Sequence, residues 1–224
     1  MGLFAPAWEN KNEEKALRAV GKITDQQQLA SIAKTAPNFN VRAAAAGKIT
    51  DQLLLADIVT SLNHGTILEM NPKDDRASYD AVKKHVMVIH AALDALTDKR
   101  LIEEIALSNL SKPVIEKALE KVTDVAVLEK VIVKHPYFAT VGYVEQFQHI
   151  ETLKTIARYA ALTPTAQNSQ ILASTLPRIQ DEMWVAELFC LCGGRGLADI
   201  LSGYIKSDAA LEYVAQNAKP KSRY

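Results

Sequence analysis

The sequence predicts an all-α fold, a right-handed α-solenoid (superhelix) of about seven stacked antiparallel helix pairs. Three observations point there. The run Gly21-Lys-Ile-Thr-Asp-Gln26 recurs unchanged as Gly47-Lys-Ile-Thr-Asp-Gln52, at an offset of 26. Thr-Asp turns return at Thr97-Asp98 and Thr123-Asp124, again 26 apart, with Phe147-Gln-His149 as a weaker fifth copy. Apolar pairs follow each turn at one spacing: Leu29 and Ile32, Leu55 and Ile58, Ile102 and Ile105, Leu128 and Val131, Leu153 and Ile156. That spacing lines one face of a helix.

The turn explains the start of each helix. Thr24, Thr50, Thr97 and Thr123 are expected N-caps, their hydroxyls accepting a free backbone N–H. The Asp that follows puts negative charge in the first turn, where the helix dipole favours it. Gln27 completes a capping box with Thr24. Ile23, Ile49, Leu96 and Val122 precede the Thr and can pack back as hydrophobic staples.

The other half of each unit is also helical. Asn40-Val-Arg-Ala-Ala-Ala-Ala46 follows a break at Ala36-Pro37-Asn38, with Asn40 as the expected cap. Ser111-Lys-Pro-Val-Ile-Glu-Lys-Ala118 repeats the design, with Pro113 early in the helix, where its missing N–H costs nothing. Ala45 and Ala118 are small, so two helices can approach closely there. A 26-residue unit holds two helices of about ten residues, too short to be stable alone, so stacking must stabilise them.

Between the second and third turns lie 21 extra residues. Gly65, Pro72 and the neighbouring Asn residues predict an insertion loop at about 62–75, and Arg76 to Ala95 then reads as a helix of twice the usual length. After residue 160 the motif fades while helical patterning persists. Pro164, Pro177 and Gly193-Gly-Arg-Gly196 separate helices near 166–176, 181–192, 195–204 and 208–217. A single domain over 1–218 is expected, with 219–224 as a flexible tail.

Asn38-Phe-Asn-Val-Arg-Ala-Ala-Ala-Ala46, leading into Gly47-Lys-Ile49, resembles the first helix of a HEAT-type (armadillo-type) repeat. The likeness spans about residues 13–160 and is partial in the fourth unit, where Ile115 stands in the place of the Arg. The period is shorter than the roughly 40–47 residues of HEAT and armadillo units. The resemblance implies a stacked helical array that binds its partners on an extended surface.

No residue pattern supplies chemistry, so no catalytic, cofactor-binding or metal-binding residue is assigned and the chain reads as no enzyme. His85 and His90 are five apart on one helix, about 140° around it, and do not converge on a metal. His64 and His135 stand alone, and His149 takes the place of the Asp at a helix start. Cys190 and Cys192 lie about 200° apart around a helix and read as reduced, buried thiols. Gly193-Gly-Arg-Gly196 follows a helix and lacks the Lys-Ser/Thr of a phosphate loop. Asp181, Glu182 and Glu187 read as helix-start and surface charges. Trp8 is expected to cover the open end of the core, and Trp184 to be core, with a groove anchor as the alternative.

Lys plus Arg and Asp plus Glu are 26 each, giving a formal charge of zero. Nucleic-acid binders draw affinity from a basic excess, so the balance disfavours that partner. The opening residues show no signal peptide, Pro6 stands where a myristoylation signal wants Ser or Thr, and no apolar run approaches a membrane span. A cytoplasmic, non-catalytic scaffold for a protein or peptide partner is the leading expectation. Its polar face would comprise Gln26, Gln27, Gln28, Lys99, Arg100, Glu103, Glu104, Glu129 and Lys130. Two HEAT-like alternatives belong to other classes. One is a DNA-binding enzyme such as an alkylpurine DNA glycosylase, echoed by Trp184 and Asp181; the other is a bilin-lyase-like chromophore handler, for which no residue speaks. Oligomeric state and partner identity stay open.

Overall fold

The structure, a computed structural model, describes residues 6–68, 76–192 and 197–218, with backbone alone at 64–68 and 76–81. Every regular element among the described residues is a helix. They gather into two units, Met1–Thr123 and Asp124–Tyr224. The expected tail 219–224 and the Gly193–Gly196 turn lie outside the described residues.

The first unit opens with a 3-10 turn, Ala7–Glu9, followed by α1 (Glu13–Gly21), α2 (Gln26–Thr35), α3 (Phe39–Ala46) and α4 (Gln52–Leu68). It continues with α5 (Arg76–Ala95), α6 (Lys99–Ala106) and α7 (Lys112–Leu119). The contacts form two rows: α1, α3, α5 and α7 touch in sequence, and so do α2, α4 and α6. Helix α5 has the doubled length the sequence predicts. The predicted loop differs, because α4 runs on through Leu68 and so includes 62–68. Buried Leu62 and Asn63 keep that stretch attached, and Asn63 Oδ1 accepts the N–H of Ser111 at 2.9 Å. Residues 69–75 of the expected loop are outside the described set.

The second unit holds α8 (Val125–Lys134), a 3-10 turn at Pro136–Phe138, α9 (Val141–Val144), α10 (Ile150–Leu162) and α11 (Ala166–Ile179). It ends with α12 (Glu182–Cys192), α13 (Ala198–Ser202) and α14 (Asp208–Asn217). Its contacts again make two rows, α8 to α10 to α12 to α14 and α9 to α11 to α13. Pro177 does not end its helix as expected. It sits inside α11, which stops at Gln180, where φ of 49° turns the chain into the left-handed region.

The apolar pairs behave as predicted. Leu29, Ile32, Leu55, Ile58, Ile102, Ile105, Leu128, Val131, Leu153 and Ile156 are each 4 % exposed or less. Ala45 and Ala118 are fully buried, which permits close helix packing.

The caps are a correction. Asp25, Asp98 and Asp124, and not the Thr before each, are the N-caps: their carboxylates accept from Gln28, Leu101, and Ala126 with Val127. Asp51 does the same for Leu53 and Leu54. A carboxylate suits the positive helix end better than a hydroxyl, and the hydroxyls of Thr50 and Thr97 are engaged by Gln26 and Gln52. Gln27 therefore completes no box with Thr24, since the helix starts one residue later. Likewise Asn38, not Asn40, caps α3. Asn40 instead donates to Glu13 of α1, as does Asn38, and these hydrogen bonds hold the Glu13 carboxyl below the usual range.

Candidate interaction groove

One clamp recurs between successive repeats. Gln26, directly after the Asp25 cap, accepts on Oε1 from the N–H of Thr50 (2.7 Å), the hydroxyl of Thr50 and the N–H of Asp51. Gln52 does the same for Thr97 and Asp98. In the second unit Glu182, directly after Asp181, accepts from the N–H groups of Lys206 and Ser207. Those bonds hold the Glu182 carboxyl below its ordinary value.

A cation makes a second contact between repeats, at the same junction as Gln26 in the case of Lys48. Lys48 Nζ donates to the carbonyls of Val20, Gly21 and Ile23, and Lys121 Nζ to those of Leu93, Asp94 and Leu96. Both lysines stand three residues before a cap and reach carbonyls at the end of an earlier odd-numbered helix, where positive charge is favoured. Arg178, three before Asp181, donates to the carbonyls of Val144 and Phe147 in the same way. Arg178-Ile-Gln-Asp-Glu182 is thus a copy of Lys48-Ile-Thr-Asp-Gln52 that identity alone does not disclose. Between α8 and α10, where Val125 cannot accept, buried Glu129 takes over and pairs with the His149 ring.

A groove lies between α10 and α12, with a cavity of about 270 Å³ lined by Glu151, Lys154, Thr155, Arg158 and Trp184. Asp181 stands beside it, bonded to two of its lining residues. One carboxylate oxygen accepts the N–H of Trp184 at 3.0 Å, and the other meets Lys154 Nζ at 2.8 Å. Lys154 lies 5.7 Å from the centroid of the Trp184 ring, in cation–π range. The Lys154 hydrogen bond holds the Asp181 carboxyl below its ordinary value, with help from the Trp184 N–H, and Asp181 in turn raises the Lys154 ammonium. Arg158, one turn beyond Lys154, is exposed and has no partner among the described residues. The groove therefore offers a half-buried indole, an internally satisfied ion pair and one unpaired guanidinium.

Two other grooves are larger. One of about 600 Å³ runs beside α5, lined by Ala43, Val86, Met87, His90 and Ala91, with Lys83, Lys84 and Asp94 around them. The second, about 390 Å³, lies on α1. Trp8 is half-buried there beside Lys15, Arg18, Lys22 and Ile23, so it leaves that end of the core partly open.

The remaining candidates are placed as follows. The ring of His85 meets Phe39 edge-on at 5.1 Å, His90 Nε2 lies 3.3 Å from the Pro113 carbonyl, and His135 packs on Tyr137 and Phe138. The side chain of His64 lies outside the described set. Among the described residues no three His, Cys, Asp or Glu side chains converge as a metal site would require. Cys190 and Cys192 are free and half-buried, and burial pushes both thiols up. Glu129 and Gln26, expected on an exposed polar face, are buried and half-buried because the clamp uses them. Arg158 and Lys154 were not singled out from the sequence. Their spacing with Glu151, at i+7 and i+3 along one face of α10, is the signal that marks them.

No described helix is long and apolar enough to cross a membrane. Comparison with protein-family models, with curated proteins and with solved structures found no significant match to this chain.

Proposed function

We propose that the chain is a non-catalytic scaffold for a protein or peptide partner, an α-solenoid of about seven stacked antiparallel helix pairs of the HEAT-like kind. The two-row helix contacts within each unit support the stacked architecture. So does the recurrence of a cap at Asp25, Asp51, Asp98, Asp124, His149, Asp181 and Ser207. The cytoplasm suits two free thiols.

The observation that carries the binding role is the Trp184 groove. Its carboxylate is spent on a cap and an ion pair, while the indole face and the Arg158 guanidinium remain open to a ligand. Trp and Arg are the residues that most often anchor protein interfaces. A peptide segment presenting an apolar or aromatic side chain next to a carboxylate fits such a pair.

The test is affinity capture from the native cell with the full chain and with an Arg158→Glu, Trp184→Ala variant. One protein retained by the first and lost by the second supports the reading. Retention of identical proteins by both contradicts the groove as its site. DNA binding that is tight and falls steeply with salt contradicts the protein-partner reading altogether.

A further inference from the structure

The clamp has a direction, and the turn before α2 and the turn before α14 carry complementary halves of it that meet no other repeat among the described residues. At the α2–α4 junction Lys48 and two backbone N–H groups of one turn meet the carbonyls and the Gln26 side chain of the earlier repeat. Other junctions use one half of this set: Gln52 or Glu182 for the N–H groups, Lys121 or Arg178 for the carbonyls. At the first turn these donors are Lys22, equivalent to Lys48 and Lys121, and the N–H groups of Thr24 and Asp25. None of them has a side-chain or carbonyl partner among the described residues, and Lys22 and Thr24 are exposed.

The last repeat shows the reverse. Asp208 directly follows the Ser207 cap, as Gln26 follows Asp25, and its exposed carboxylate has no partner among the described residues. The carbonyls of Ser202, Gly203 and Ile205 occupy the places of Val20, Gly21 and Ile23. The turn is the same one: the N–H of Ile205 reaches the Ser202 carbonyl at 3.2 Å, as that of Ile23 reaches Val20 at 3.0 Å. Leu211 holds the position that is at most 4 % exposed in the five pairs named above, and here it is 49 % exposed. Lys22 at the first turn and Asp208 at the last are opposite in charge, and both are exposed.

We propose that this surface takes a second copy of the same chain. The first turn of one copy docks on the last repeat of another, as a further repeat would. Lys22 then reaches the carbonyls of Ser202, Gly203 and Ile205, and Asp208 accepts from the N–H groups of Thr24 and Asp25. Leu211 is covered by the Trp8 and Ile23 end of the partner. The contact is head-to-tail, so it does not close on itself as a two-fold dimer does, and association is open-ended. The inference rests on the stacked-repeat part of the proposed function and not on the Trp184 groove.

Sedimentation velocity on the full chain, in low and in physiological salt, tests it. The wild type is expected to form a concentration-dependent series of species that shortens as salt rises. Lys22→Glu and Asp208→Lys, both at exposed positions, should each weaken association at least about tenfold while leaving the helical circular dichroism unchanged. An equimolar mixture of the two retains one intact contact, Asp208 of the first variant with Lys22 of the second, and should stop at a dimer. Should either variant lose helicity, Lys22→Gln and Asp208→Asn replace it with the same expectation. A wild type that stays monomeric throughout, variants that associate as it does, or a mixture that stays monomeric would each overturn the proposal. The partner capture at Trp184 is unaffected by any of these outcomes.

Discussion

The junction between α2 and α4 in the first unit and that between α12 and α14 in the second perform one task with different residues. In the first, Gln26 accepts from Thr50 and Asp51. In the second, Glu182 accepts from Lys206 and Ser207 at distances of 3.0 and 2.7 Å. The cation differs too: Lys48 closes the α2–α4 junction, and Arg178 serves the neighbouring junction between α10 and α12. What persists is the arrangement of donors and acceptors: a turn that joins packed helices has its N–H groups met from the neighbouring repeat, and several side chains can do so. The repeat is therefore defined by its backbone bonds more than by its letters.

The largest contrast lies in the apolar positions. Leu55→Ala and Leu153→Ala, one in each unit, should each cost about 2–5 kcal/mol in chemical denaturation. Leu211→Ala, at an equivalent but exposed place, should cost under about 0.5 kcal/mol. A large loss at Leu211 in dilute monomer would break the equivalence.

Removing the clamp cation comes next. Lys121→Met and Arg178→Met should each destabilise by about 1.5–3 kcal/mol, the range for hydrogen bonds to a charged group. Arg178→Lys should recover part of the loss, which urea titration of both variants would read. The caps are smaller still: Asp98→Ala should cost about 1 kcal/mol. Ser111→Ala should change little, because Ser111 makes no side-chain capping bond.

Acid separates the ion pairs. The Lys154 hydrogen bond holds Asp181 low, and the Lys34 hydrogen bond does the same for Asp57 in the first unit. A depressed carboxyl contributes fully above its unfolded value of about 3.9 and loses that contribution as pH falls through its lower folded value. Asp181→Asn and Asp57→Asn should therefore flatten the fall in stability across that acid window, measured by urea melts at stepped pH. An unchanged pH profile would show that the pair does not couple to folding.

The helical fold, the doubled α5 and the buried apolar pairs were all legible, because helical periodicity is written in side chains that must face the core. The cap lies one residue past the expected Thr, since Thr and Asp both cap well and only contacts from a neighbouring repeat, such as Gln26 on Thr50, separate them. The copies at Arg178 and Ser207 were invisible because each substitution preserves a hydrogen-bonding role while changing identity. Trp184 was noticed, but Arg158 was not: its meaning comes from α10 meeting α12, a contact that no local pattern records.

Native-state hydrogen exchange on Gln26→Leu and Glu182→Leu tests the shared clamp most directly. The first change should speed exchange at the amides of Thr50 and Asp51, and the second at those of Lys206 and Ser207, with other turns unaffected. Protection that survives at either pair of amides would contradict the claim that one device joins the repeats in both units.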